Sequence, residues 1–128
     1  AADTLTRFFA DTGTGPADYA MIVTGDLGQV GSTLLRQLME RSGTPLGDNY
    51  TDCGLLLFDR TRQDVHAGGS GCGCSASVLC AHFLPLLESG KLHDLLFCPT
   101  GALMSPTSSQ QGESIPGICH AVLLHAAG

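Results

Sequence analysis

Between His66 and Cys74 four of nine residues are glycine, and the segment runs directly into a helical pattern. Backbone N–H groups at a helix start have no intrahelical partner and carry partial positive charge. A glycine-lined approach there suits a carboxylate or a phosphate. The same glycines would also let the helix start press against a neighbouring strand, and both readings stand at this point. The segment is not a phosphate-binding loop of the Gly-Lys-Ser or Gly-Lys-Thr kind. Nor does it place G-x-G-x-x-G directly after a strand, as a dinucleotide site requires.

The rest of the chain alternates helical and strand-like patterns. Asp3 or Thr4 is placed to cap a helix through Ala10, with Leu5, Phe8 and Phe9 on its buried side and Gly13 as its stop. Tyr19 to Thr24 has the length of a strand, and Val30, Leu34, Leu35, Leu38 and Met39 follow at helical spacing. Cys53 to Phe58 is apolar throughout, which predicts a strand covered on both faces. Ser75 to Ser89 predicts a helix that Pro85 kinks or splits after Phe83, with Gly90 as its end. Asp94 to Cys98 and Gly117 to Leu124 complete a set of four strands and three helices. Pro99 to Pro116 is expected to be a long polar loop, a length usually kept for function.

With 128 residues and 43% hydrophobic content, the chain supports one packed core and one domain. Its apolar runs are too short to span a membrane, and residues 1–4 lack the character of an export signal. A net charge of −6 without any basic cluster disfavours nucleic acid and direct binding to anionic lipid. The six cysteines lie among aliphatic neighbours, which favours buried free thiols over a disulfide framework. Zinc held by Cys72, Cys74, Cys80, His82 and His66 is the sharper alternative, but no Cys-x-x-Cys pair supports it.

Three loops carry the candidate chemistry. Beside the glycine segment, Thr24-Gly25-Asp26-Leu27-Gly28 follows a strand, where open α/β sheets hold ligands. Asp26 could equally be the cap of the next helix. Cys98-Pro99-Thr100-Gly101 also follows a strand and continues into the hydroxyl-rich stretch from Ser105 to Ser114, either a ligand cover or a solvated excursion. His66 and Cys98 fall at loop positions that could converge, and this base and thiol are the one enzyme-like pair.

Five segments resemble a known family: Ile22 to Gly28, Asn49 to Gly54, His66 to Ala76, Pro99 to Leu103 and Gln111 to Gly117. They are similar to the C-terminal half of the stage V sporulation protein AD family, in the thiolase-like superfamily. The resemblance implies an α/β fold: the second half of a thiolase-like fold, with a mixed β-sheet covered by helices. Residues 1–128 would then form one C-terminal half-domain that stacks on an N-terminal half of the same fold.

In thiolases the first half supplies the nucleophilic cysteine, so this chain is not expected to hold a complete active site. His66 with its following glycines is similar to the histidine-glycine motif of the thiolase second half, and Cys98 to Gly101 to its cysteine-glycine motif. Val65 and Pro99 depart from those motifs. Thr24-Gly25-Asp26 stands where an initiating ketoacyl synthase has histidine and asparagine, which removes an oxyanion-stabilising pair.

The resemblance implies a non-enzymatic binder of dipicolinic acid, pyridine-2,6-dicarboxylate, serving its uptake into the spore. The expected ligand-binding residues are Thr24, Asp26, His66, Gly68, Gly69, Ser70, Thr100 and Ser105, with no catalytic residue, metal or cofactor assigned. Partners would be other stage V sporulation membrane proteins, holding the protein at the inner membrane of the forespore or spore from outside the lipid. The rival reading is an acyltransferase that uses His66 and Cys98 with a nucleophile from the other half. A third makes the fold a platform for membrane partners alone.

Overall fold

The computed structural model describes residues 1–57, 74–102 and 117–126. Its centre is a four-stranded mixed sheet. Strand β1 (Ile22–Thr24) runs parallel to both β2 (Tyr50–Asp52) and β3 (Asp94–Cys98), and β6 (Val122–His125) lies antiparallel to β3. A second, two-stranded sheet joins β4 (Thr100–Ala102) to β5 (Gly117–Cys119). The chain is therefore α/β with a mixed sheet covered by helices.

Alternation along the strands sorts the core into two layers. Ile22, Leu96 and Cys98 point to one side, where they meet Leu5 and Phe9 of α1 (Ala2–Thr12) and Leu35 and Met39 of α2 (Gly28–Arg41). Val23, Leu95 and Phe97 point to the other. There they meet Cys53 of α3 (Cys53–Leu57), Cys74 and Val78 of α4 (Cys74–Val78), and Leu87 of α5 (Leu84–Glu88). Burying each such Ile, Leu or Phe side chain contributes roughly 1.5–3 kcal/mol, so sheet and helices stabilise one another.

Strand β3 has the predicted bounds, and α1 ends at Gly13 as expected. The α1 start differs: the helix begins at Ala2 with no side-chain cap. Asp3 instead pairs with Arg7 in solvent, and the Thr4 hydroxyl donates to the carbonyl of Cys119 at 2.8 Å. The helix does not split after Phe83: Phe83 and Leu84 both keep helical backbone angles, and the irregularity lies one turn earlier. A π-helical turn over Leu79–Phe83 joins α4 to α5, and Pro85 falls in the first turn of α5, where its missing N–H costs little.

Four expectations need correction. The apolar run from Cys53 is a helix through Leu57, and the strand lies just before it, at Tyr50–Asp52. The Asp52 carboxylate accepts the Gly54 N–H at 3.0 Å, which turns the chain from strand into helix. The final strand is two strands, β5 and β6, because the chain leaves one sheet for the other at His120 and Ala121. Thr100–Ala102, read as loop, is paired as β4.

The helical face of α2 also turns differently. Leu35 and Met39 are buried, whereas Val30, Leu34 and Leu38 are 62%, 53% and 51% exposed. The inward stripe runs through Gly28, Ser32, Leu35 and Met39, rotated from the line through Val30, Leu34 and Leu38.

Candidate functional site

Three strand ends meet in register at the carboxyl edge of the parallel strands. Thr24 is aligned with Asp52 on one side and with Cys98 on the other, and all three are fully buried. Above this row lie the turn after β1, the start of α3, and Pro99 and Thr100 after β3.

Asp52 organises the row. One carboxylate oxygen accepts from the Thr24 hydroxyl at 2.6 Å and from the Leu27 N–H at 2.9 Å. The other accepts from the Gly28 and Gly54 N–H groups, both at 3.0 Å. A buried carboxylate without such donors would cost several kcal/mol. Here its four donors include two from the start of α2 and one from the start of α3, so a single side chain caps two helices. The capping role open to Asp26 falls instead to Asp52, on the neighbouring strand; α2 has no side-chain cap from its own flanking residue.

Tyr50 extends the network. Since Thr24 donates to Asp52, the Tyr50 phenol is the donor in its 2.7 Å contact with Thr24. Burial raises the phenol pKa above its ordinary value, which keeps the proton that this bond uses. Arg36 stacks over the Tyr50 ring, its guanidinium carbon 5.0 Å from the ring centre, and donates to the carbonyls of Leu46, Gly47 and Tyr50.

Gly25 is where the loops converge. A Cβ at that position would lie 2.6 Å from the Thr100 backbone nitrogen, 2.9 Å from its hydroxyl oxygen, and against the Ser75 hydroxyl. The Thr100 hydroxyl in turn accepts the Asp26 N–H at 2.9 Å. Glycine is required here for close approach. At Gly28 it is required for conformation, since its φ of 71° disfavours any side chain. The turn thus binds the ends of β1 and β3 to the first residues of α4.

Of the residues singled out from sequence, Thr24, Asp26 and Thr100 come together in this turn. Thr24 faces inward with its hydroxyl committed to Asp52 and Tyr50, so it holds the loop in place. Asp26 and Thr100 are partly exposed and tied to one another. His66, Gly68, Gly69, Ser70 and Ser105 lie outside the described residues, as does Cys72 of the possible zinc set. Among the described residues no group of three or more His, Cys, Asp or Glu side chains is arranged to hold a metal.

Sequence reasoning missed Asp52, Tyr50 and Ser75. A usable signal existed for the first, since Asp immediately before an apolar run is a helix-capping pattern. It was hidden by reading that run as a strand.

The cysteines divide by environment. Cys53 and Cys74 are buried, and the Cys53 thiol is pushed up to about 12 by burial and by the neighbouring Cys74 and Asp52. Cys98 is fully buried and in contact with Cys119, which is only half-buried; Cys80 is exposed. Cys53, Cys80, Cys98 and Cys119 are free thiols.

An α/β chain with a mixed sheet, its loops gathered over parallel strand ends, is the class of protein these features define. A model of the family "Stage V sporulation protein AD" matches residues 1–125. The chain is also 45% identical over its 128 residues to Stage V sporulation protein AD of Bacillus subtilis (strain 168). It belongs to the stage V sporulation protein AD family, and it spans 38% of the length of that curated relative. Among the described residues no helix is long and apolar enough to cross a membrane.

Proposed function

We propose that the protein to which this chain contributes binds dipicolinic acid and serves its uptake into the spore, without catalysing a reaction. The observation that carries this reading is the closure of Gly25 between Ser75 and Thr100. It sets the first turn of α4, into which the glycine segment leads in sequence, at the carboxyl edge of the sheet. The α2 start cannot serve the ligand, because Asp52 already occupies its Leu27 and Gly28 N–H groups. A flat dianion would instead be met by N–H groups near the α4 start, by Ser70, Ser75 and Thr100 hydroxyls, and by a protonated His66.

Membership of a sporulation family supports the spore as the setting. Burial of Cys98 and the raised pKa of its thiol weigh against an acid–base role for it in acyl transfer, since such a group must gain and lose its proton near the working pH. The thiolase-like architecture, with residues 1–128 as its C-terminal half, belongs to the same reading. The remaining part of the fold would cover outward apolar side chains such as Leu56, 45% exposed beside a pocket lined by Val78, Ala81 and His82. Attachment to the inner membrane would run through other stage V sporulation membrane proteins.

Calorimetric titration of the intact protein with dipicolinate tests the reading. Binding is expected, and Thr100→Val or Ser75→Ala should weaken it about tenfold or more, the cost of a lost hydrogen bond to a charged group. Gly69→Trp should abolish it, while Cys98→Ser should leave it nearly intact. Absence of binding heat, or wild-type affinity in Gly69→Trp, would refute the site. Turnover of acyl thioesters lost in Cys98→Ser would favour the acyltransferase instead.

A further inference from the structure

We infer that α2 is a self-association surface, along which a second copy of the protein lays its own α2, antiparallel, about a two-fold axis at Leu34. Val30, Leu34 and Leu38 stand on one line of this 14-residue helix and are 62%, 53% and 51% exposed. Leu27, half-buried at the helix start, continues the line. Single apolar side chains on a surface are ordinary, but a contiguous stripe marks an interaction site. Between its ends the stripe includes only Gly31 and Gln37, neither of them charged.

The stripe points away from the sheet. Leu35 and Met39, on the inner side of α2, pack with Ile22, Leu96 and Cys98. Val78, which shares a pocket with Leu56, packs on the other face of the sheet with Val23 and Leu95. That second face is the one the remaining part of the fold would cover, which leaves the outer side of α2 to another molecule.

The stripe is complementary to itself. Residues three and four apart on one face accept a second helix lying along it at a shallow angle of about 20°. In an antiparallel pair centred on Leu34, residues equally far before and after it meet. Leu34 faces its counterpart, and Val30 faces Leu38. Gly31, with no side chain of its own, gives room to Gln37. Arg41, in the last turn, comes to Leu27 and the adjacent Asp26 at the start of the second helix. There its aliphatic stem covers the leucine and its charge meets a carboxylate. The two-fold axis repeats each contact, and the helix dipoles oppose one another. A parallel pair would instead align Arg41 with Arg41 and Asp26 with Asp26, like charges together. In a chain of net charge −6, α2 carries Arg36 and Arg41 against Glu40 alone, so self-repulsion is weak along this helix.

The contact is small beside the roughly 1,200–2,000 Å² of a stable interface, so pairing is weak and reversible, with a Kd on the order of 10 μM. Each α2 begins at a Thr24–Gly28 turn, and the pair therefore sets two candidate sites at its opposite ends. The pairing does not depend on which ligand that turn serves.

The test is sedimentation velocity of the intact protein between about 1 and about 100 μM. A doubling of mass with rising concentration is expected. Leu34→Glu sets two carboxylates face to face and should weaken it about tenfold or more. The melting temperature should stay unchanged, because that side chain is exposed. Crosslinking with a short bismaleimide reads the register. Leu34→Cys should join to itself, and Val30→Cys should join to Leu38→Cys in a mixture, both above the background from native thiols. Val30→Cys alone should remain at that background. If the intact protein does not associate, or Leu34→Glu associates like wild type, the inference is wrong. In a monomer, a Leu34→Cys thiol closed to maleimide would put another part of the same protein over the stripe, and an open one would leave it to a foreign partner. Either result overturns the pairing.

Discussion

Thr24 and Asp52, aligned on adjacent parallel strands and both wholly buried, share a 2.6 Å hydrogen bond from hydroxyl to carboxylate. That bond ties the end of β1 to the side chain that caps both α2 and α3. The turn after β1 is therefore held from beneath, through the sheet, while Thr100 holds it from the side.

Removing the Asp52 carboxylate should damage the fold more than any exposed substitution. Asp52→Ala leaves the Leu27, Gly28 and Gly54 N–H groups and the Thr24 hydroxyl without their acceptor. Each hydrogen bond to a charged group contributes about 1.5–3 kcal/mol. Water entering the cavity would recover part of that, so a loss of roughly 3–5 kcal/mol is expected in urea unfolding of the intact protein. Asp52→Asn should fall between, since an amide N–H₂ replaces one acceptor and faces donors. A change below about 0.5 kcal/mol in Asp52→Ala, typical of a surface site, would show that the caps are dispensable.

Gly25→Ala probes the closure of the loops. The new methyl group would stand 2.6 Å from the Thr100 nitrogen, a backbone atom that cannot swing aside. Overpacking of this kind costs about 1–3 kcal/mol. Relief should come from β4 moving away, which breaks the bond between Thr100 and the Asp26 N–H. Lower stability together with weaker dipicolinate binding is expected by thermal unfolding and calorimetry. Wild-type values for both would mean that the contact is loose in solution.

Alkaline pH should weaken the fold in a defined window. The Cys53 thiol is pushed up from 9.0 to about 12, and the Tyr50 phenol is raised from 10.0, each chiefly by burial. For both, the folded state holds the proton more tightly than the unfolded state. Their stabilisation is complete below pH 9, where the unfolded chain is still protonated, and is lost as pH rises through the folded values. The melting temperature of the intact protein should therefore fall between pH 9 and about 12, and Cys53→Val should flatten part of that slope. An unchanged slope in the variant would remove Cys53 as a contributor.

Much of the architecture was legible residue by residue. Asp94–Cys98 reads as a strand because its apolar run is bounded by polar turns, and Gly13 and Gly90 end helices from their positions alone. The turn at Thr24 to Gly28 was recognisable as a candidate site, because a glycine-rich step after a strand has few other uses.

The direction of the α2 face and the state of residues 53–57 depend on what lies opposite. Leu34 and Leu35 are chemically the same residue at adjacent positions, and only packing against β1 and α1 sends Leu35 inward. The apolar run from Cys53 has no period of its own. The adjacent Asp52 starts it as a helix by accepting the Gly54 N–H, and packing of Cys53 among Val23, Cys74 and Phe97 holds it so. The sequence by itself determined the α/β class and the family, through local patterns and long shared motifs. The bonds from Thr24, Leu27 and Gly28 to Asp52, and the contact of the Cys119 thiol with the Cys98 carbonyl, join residues far apart in the chain, and such contacts exist only once the strands are side by side.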